Sequence, residues 1–279
     1  MSFAVGAIRC EVVTDGIAFY EPESLFQELS ADERAALLDG RLDQRGLLPV
    51  PYDPLLIQTP EATLLVDAGT GPDLAKKWGD PSGRMRQSFD AAGLSTNDVD
   101  VVVITHAHPD HVGGLTEPDD GARVPVFARA RHLIARAEWN FWMEGRPAGP
   151  SEEMVDDIRP HLQTVRDAGL LELVEGTREV GEGIQLFPTP GHTPGHMSLA
   201  LVSGEANALI AGDVLLTEWC FEHPEWTAPA EVDPELVRRT RGEFLTRAAR
   251  DGSMVHAYHL GRIGRVRRTN DTFELVEGA

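Results

Sequence analysis

The sequence is poor in cysteine, in basic charge and in long apolar runs. Only two cysteines, Cys10 and Cys220, occur in 279 residues. That excludes a disulfide framework and a four-cysteine zinc site. No apolar stretch approaches the roughly 18 residues needed to cross a bilayer. The opening MSFAVGAIRC has no basic segment followed by a long apolar one, so it does not read as a secretory signal. A cytoplasmic location is the expectation. Basic residues number 25 against 45 acidic ones, a net charge of -20. Such a chain repels phosphate backbones and anionic lipid surfaces, so neither nucleic acid nor membrane is expected as a partner. Internal repeats, low-complexity tracts and linkers are also lacking.

What is there suits a globular fold. Hydrophobic residues make up 42% and charged residues 25%, and the length fits one large α/β-type domain over 1–279. Ile8 to Thr14 reads as a strand closed by the turn pair Asp15-Gly16. Ser30 followed by Glu33 has capping-box spacing and opens a short helix to Leu38. Pro49, Pro51 and Pro54 predict an irregular extended path, so 20–54 reads as an elaboration outside the core. Leu55 to Thr59, Thr63 to Val66, Val99 to Ile104 and Val124 to Phe127 read as strands. Ser82 to Ala92, Ala130 to Phe141 and Ser151 to Ala168 read as helices. Ile184 to Phe187, Ser198 to Val202 and Ala208 to Ala211 are strands again. Pro234 opens a helix to about Arg250. Strands at Met254 to Tyr258, Gly264 to Arg268 and Thr272 to Val276 finish the chain. Two batches of strands, before about residue 127 and after about residue 170, predict two sheets packed face to face with helices outside.

The chemistry concentrates in Thr105-His106-Ala107-His108-Pro109-Asp110-His111-Val112-Gly113-Gly114, directly after the β-branched run. Three histidines and one aspartate in six residues is the density of a metal site. Position at the C-terminal end of a buried strand is where α/β proteins gather functional groups. Further on, Pro188-Thr189-Pro190-Gly191-His192-Thr193-Pro194-Gly195-His196 places histidine in a proline-stiffened loop after a strand. Ala211-Gly212-Asp213 puts a carboxylate at the next strand end, and Tyr258-His259 follows the strand after the last long helix. Each candidate ligand follows a strand, so one edge of a sandwich could collect them all.

This set resembles the metallo-β-lactamase fold superfamily, from the Leu64-Leu65-Val66-Asp67-Ala68-Gly69 strand-turn to His259. The resemblance implies an α+β, four-layer αββα sandwich with a metal site at one edge. It implies that His106, His108 and His192 hold one metal, that Asp110, His111 and His259 hold a second, and that Asp213 bridges both. Asp67 and His196 match positions that support the ligands. The donors are all nitrogen or oxygen, which suits two divalent ions, zinc first, with manganese, cobalt or iron also compatible. Asp110 is also the candidate proton carrier between attacking water and leaving group.

Within the family, Asp213 stands where thiolate-using lactamases carry cysteine, and His108 stands where flavodiiron members carry glutamate. Nuclease-type members oppose the acidic surface, and glyoxalase II-like thioesterases end in helices where this chain ends in strands. The N-terminal elaboration, Glu222-His223-Pro224-Glu225-Trp226 and the run from His259 to Val266 are most similar to the lactonase and methyl parathion hydrolase-like subgroup. A small-molecule lactone or related ester is therefore the expected substrate, with a phosphotriester, a thioester or a non-hydrolytic metal-binding scaffold as alternatives. Leu216 stands where many acyl-homoserine lactonases place a substrate-holding tyrosine, which predicts weak turnover of that lactone. The aromatics Trp139, Phe141 and Trp142, and then Trp219, Phe221 and Trp226, are candidates for pocket lining or for homodimer contacts. His132, His161 and His223 read as helix-surface or loop residues, and His256 as a rival of His259 placed inside a strand. The arginines at 262, 265, 267 and 268 read as a solvated strand face.

Overall fold

A computed structural model describes residues 1–145 and 149–277. The chain begins with β1 (Ser2–Val5), β2 (Ile8–Val12), β3 (Gly16–Tyr20), α1 (Ala31–Leu37), β4 (Leu48–Tyr52), β5 (Leu55–Gln58) and β6 (Thr63–Val66). It continues through α2 (Gly71–Trp78), α3 (Met85–Ala91), β7 (Val101–Val103), α4 (Pro109–Val112), β8 (Thr116–Asp119), β9 (Ala122–Pro125), β10 (Arg131–Ala135), α5 (Arg136–Met143) and α6 (Glu152–Asp167). The remainder is β11 (Leu171–Val174), β12 (Arg178–Gly181), β13 (Ile184–Pro188), β14 (Met197–Ser203), β15 (Ala206–Ile210), α7 (Pro234–Asp251), β16 (Met254–His256), β17 (Gly264–Thr269) and β18 (Thr272–Glu277).

Two seven-stranded sheets form among the described residues. Their orders are β1-β2-β5-β6-β7-β10-β11 and β12 through β18 in sequence. Side chains from both sheets interdigitate in one core, with Leu55, Ile57, Leu64, Val101, Val103 and Leu133 meeting Ile184, Leu186, Leu199, Leu201 and Ile210. The outer face of the first sheet (Leu56, Leu65, Val102, Ile134) is covered by Phe89, Trp139, Trp142, Ile158 and Leu162 from α3, α5 and α6. The outer face of the second (Leu209, Val255, Val266) is covered by Phe244, Leu245 and Ala248 of α7. Because each sheet buries both faces, its central strands are uninterrupted apolar runs rather than alternating ones. The layers are helix, sheet, sheet, helix, the expected αββα sandwich.

Some local expectations are corrected. The segment from Ala130 is not a helix throughout: β10 fills the place between β7 and β11, parallel to both, before α5 begins. A short apolar run buried on both faces looks alike as helix or strand. The first sheet therefore extends to Val174, past the break expected near residue 127. The proline-rich stretch is a regular strand, β4, paired antiparallel with β3. Proline has no N–H, so the ladder's donors on β4 come from Leu48, Val50 and Tyr52, which alternate with Pro49 and Pro51. Helix α2 was not expected, although it has proline in its first turn and a left-handed Gly79 cap. Helix α3 starts three residues later than Ser82, because the buried Asp15 carboxylate takes the N–H groups of Gly83 and Met85 at 3.1 and 2.9 Å and holds the entry turn extended. The capping box at Ser30 and Glu33 forms as expected.

Candidate metal centre

Strands β6, β7, β10 and β11 are mutually parallel, so their C-terminal ends share one edge. Asp67 leaves β6 there, the His106–His111 segment leaves β7, and α5 leaves β10. The second sheet delivers the loop after β13, the Gly212–Leu215 turn after β15 and the 257–259 turn after β16 to the same edge. Pro109 in the first turn of α4, with His108 capping it, folds Asp110 and His111 back under His106 and His108.

All seven candidate ligands converge. His106, His108, His192 and Asp213 offer donor atoms within 4.8 Å of one another, as do Asp110, His111 and His259. His108 Nδ1 lies 3.0 Å from His106 Nε2 and 2.9 Å from His192 Nε2. One oxygen, Asp213 Oδ2, lies 3.7, 3.4, 3.5 and 3.2 Å from the Nε2 atoms of His106, His111, His192 and His259, so it faces both clusters. Asp110 Oδ2 lies 3.6 Å from His111 Nε2 and 3.5 Å from His259 Nε2.

The supporting hydrogen bonds set which nitrogen faces inward for His106, His111 and His259. His111 Nδ1 donates to Asp67 Oδ2 at 2.9 Å, leaving its Nε2 free toward the centre. His259 Nδ1 donates to the Pro51 carbonyl at 3.1 Å. Asp67 also accepts the Thr105 N–H and hydroxyl, both at 2.8 Å, and Thr105 in turn contacts His106 Nδ1 at 3.1 Å. Asp67 holds a positive φ of 62°, a left-handed conformation that aspartate tolerates better than bulkier residues. His196 accepts the Asp213 N–H at 3.0 Å, fixing the loop that carries the central carboxylate. Gly212 supplies the positive φ of 56° before it, and a Cβ there would sit 2.8 Å from His196 Nε2.

The electrostatics are those of a cation site. Burial pushes His106 and His192 well below the usual histidine range, and His108 to about 4. Burial also opposes charge on His111, but Asp213, Asp110 and Asp67 outweigh it and hold that ring well above its ordinary value. Burial opposes ionisation of Asp213, yet His259 and His111 overcome it and hold the carboxyl well below the usual range. Three buried imidazole nitrogens of neutral rings converge within about hydrogen-bond distance, where a cation would take their lone pairs in place of shared protons. His111 Nε2, His192 Nδ1 and Asp213 Oδ1 are buried and have no hydrogen-bond partner. Buried orphan donors and acceptors are costly, and the first and third belong to groups on which two ions would converge. The donor set therefore fits two divalent metals.

The Lactamase_B description, metallo-beta-lactamase superfamily, matches residues 48–259, a span that contains every candidate ligand. The chain belongs to the metallo-β-lactamase superfamily. As a superfamily member it is 29% identical over 219 residues to the N-acyl homoserine lactonase AiiA of Bacillus thuringiensis subsp. kurstaki, covering 72% of this chain and 77% of that one. It is 31% identical over 192 residues to metallo-beta-lactamase domain-containing protein 1 of Xenopus laevis, covering 68% of this chain and 64% of the frog protein. In structure it resembles AidC, a dizinc quorum-quenching lactonase solved with the product N-hexanoyl-L-homoserine, with a TM-score of 0.87, 23% identity and coverage of 100% and 97%. A hydrolase of the same superfamily, AbOPH, superposes with a TM-score of 0.88 at 23% identity, again over 100% and 97% of the two chains.

Other groups fall where the sequence did not place them. Glu138, on α5, is fully buried and accepts from Ala107 N–H, Trp142 Nε1, Thr193 Oγ1 and Gly195 N–H at 2.9, 2.7, 2.7 and 3.0 Å. It ties the two histidine loops together. The available signal was a lone acid among Trp139, Phe141 and Trp142. Gly195 follows from the same contact, since a Cβ there would lie 2.1 Å from the Glu138 nitrogen. His132 and His161 are buried, not surface residues: one sits in β10 and the other bonds Thr116 Oγ1 at 2.8 Å. His256 lies in β16, outside both ligand groups. Cys220 is buried packing.

The ligands open into a cavity of about 560 Å³. Its walls include Tyr20, Leu25, Val50 and Tyr52 from the N-terminal elaboration, Leu216 packed against them, and Trp78 and Met154. None of the aromatics at 219, 221 and 226 is in that lining. Trp219 and Trp226 instead pack edge-on against Phe26, at 5.0 and 6.3 Å. They support the wall from behind.

Proposed function

We propose that this chain is a dinuclear metal-dependent hydrolase that opens a lactone or related carboxylic ester. The observation that carries the reading is the single Asp213 oxygen facing four histidine nitrogens from both ligand groups, at the floor of an apolar cavity. In this reading His106, His108 and His192 hold one ion, Asp110, His111 and His259 hold the other, and Asp213 joins them. Two such ions, when bound, supply a hydroxide at neutral pH and polarise a carbonyl oxygen. Zinc suits the nitrogen-rich donor set. The chain is read as one domain, with 20–54 as an elaboration that forms the cavity roof, and as a cytoplasmic protein.

The chain's own residues do the rest. Asp110 lines the cavity and is placed to take the proton of the attacking water and return it to the leaving alkoxide. Apolar walls bind the acyl part and exclude water. No lysine or arginine is among the described lining residues. The arginines near the C-terminus are engaged elsewhere: Arg262 with Glu218, Arg265 with the Gly252 carbonyl and Arg267 with Glu274. With a net charge of -20, that favours uncharged substrates over strongly anionic thioesters.

The test is a comparison of initial rates in metal-replete protein for N-acyl homoserine lactones, aryl esters, a thioester and a phosphotriester. Lactones or aryl esters should lead. A clear preference for the thioester or phosphotriester would overturn the lactone reading and leave the metallohydrolase. No turnover of any substrate would favour a metal-binding scaffold.

A further inference from the structure

The chain has three tyrosines, and all three surround the ligand cluster. Tyr258 is committed: its hydroxyl donates to the Asp110 carbonyl at 2.7 Å. Tyr20 and Tyr52 are not committed in that way. They lie on one face of the β3–β4 ribbon, four residues apart across its register, with Ala18 between them. The small side chain at 18 lets both rings lean inward until their hydroxyls meet at 2.5 Å. Both rings line the cavity beside His108, Asp110, Asp213 and His259. Tyr52 is buried and wedged between Tyr258 and His259, with ring centroids 5.8 and 5.2 Å away. Tyr20 is the half-buried member of the pair.

Two phenol hydroxyls carry two protons, and one of them is used in the bond between the oxygens. The other is free for a ligand. A phenol ordinarily loses its proton only near pH ~10, so both hydroxyls are hydrogen-bond donors at neutral pH. Leu216, on the same cavity, has nothing to donate. The described lining also lacks lysine and arginine, and besides this pair its hydroxyl donors are Ser24 and Ser151.

Resting on the hydrolase reading, we propose that Tyr20, oriented by Tyr52, donates a hydrogen bond to the substrate carbonyl oxygen, and that this replaces the donor absent at Leu216. The Tyr52 hydroxyl donates a hydrogen bond to the Tyr20 oxygen, and the Tyr20 hydroxyl donates one to the substrate oxygen. The bond strengthens as negative charge gathers on the carbonyl oxygen during attack, so its effect falls mainly on kcat. Tyr20 is then a catalytic residue, and Tyr52 a positioning residue. Homoserine lactones become competent substrates despite Leu216.

The experiment uses the full chain loaded with zinc, as wild type, Tyr20→Phe, Tyr52→Phe and the double variant. It measures zinc content, kcat and KM on an N-acyl homoserine lactone and an aryl ester, and the Kd of the unreactive lactam analogue by calorimetry. Zinc content should be equal in all four. Tyr20→Phe should lower kcat by about a hundredfold with little change in KM, and weaken lactam binding by about fivefold. Tyr52→Phe should lower kcat by about tenfold, and the double variant should match Tyr20→Phe. A Tyr20→Phe protein with wild-type kcat and lactam affinity would overturn the inference, as would a double variant whose loss is the product of the single losses. If Tyr20→Phe does not fold, a Tyr52→Phe protein with wild-type kcat overturns it. A wild type inert to lactones and esters overturns the proposed function itself, and this inference with it.

Discussion

At the scale of single residues, the site depends on Asp213 more than on any other side chain. Its Oδ2 lies among histidine nitrogens of both ligand groups. Asp213→Ala should cost at least one metal per chain and nearly all turnover, read by metal analysis and initial rates. Cys220→Ser should keep both metals and turnover, because that thiol is buried among Val214, Leu215, Phe244 and Leu245 away from the ligands. Metal loss in the serine variant with retention in the alanine variant would show that the wrong residue had been identified. The candidate ligands could be picked out in the sequence because most of them are local: HxHxDH and the GHTPGH loop carry their own spacing. The tyrosine pair was not legible. Its two members are 32 residues apart, and only the ribbon's register and the small Ala18 bring them together.

At the scale of elements, α5 has a role its aromatic composition hides. Through Glu138 it receives three hydrogen bonds from the loops that carry His106, His108 and His192, and a fourth from its own Trp142. Burial raises the Glu138 carboxyl above its ordinary value, and the four donors offset that. Glu138→Gln keeps the shape but turns an amide N–H toward a backbone N–H or the Trp142 indole. That leaves buried donors unpaired, at about 2–3 kcal/mol for the cluster. The variant should melt lower and bind zinc more weakly, read by thermal unfolding with and without metal. An unchanged midpoint and unchanged zinc affinity would remove the linking role. The start of this element was misread because His132–Ala135 is buried on both faces. A strand in the middle of a parallel sheet carries no period of its own. The β4 strand was misread for the opposite reason: its prolines suggest irregularity, but they occupy alternate positions of a two-stranded ribbon whose other positions supply the donors.

At the scale of the whole molecule, two packed sheets could be foreseen from the two batches of strands and the layering from the family resemblance, but the strand order could not. The cavity could not, because its roof is built by 20–54 folding over ligands that lie up to two hundred residues away. Acid stability is also a property of the whole. His132 and His161 lie away from the ligand cluster, and burial lowers them to about 4 and about 3. Their folded values are below the unfolded value near 6.5, so the unfolded chain binds more protons in that window. Stability is full above about pH 6.5 and is lost as pH falls toward 4 and below. Each contributes about 2 kcal/mol between pH 6.5 and pH 5. His132 Nδ1 donates to the Ala130 carbonyl at 3.1 Å and its Nε2 has no partner, so a second proton has no acceptor there. His132→Leu should flatten the dependence of the urea midpoint on pH between 7 and 5, measured on the metal-free protein. A slope equal to wild type would show that His132 does not titrate on unfolding.

The central claim is that one chain builds a two-metal centre that hydrolyses. Metal-free protein should be titrated with zinc while hydrolysis of an N-acyl homoserine lactone is followed, with bound metal counted at each step. Activity should rise to a plateau at two equivalents per chain, and chelation should abolish it. Full activity at one equivalent, or two bound ions with no turnover of lactone or ester, would contradict the claim.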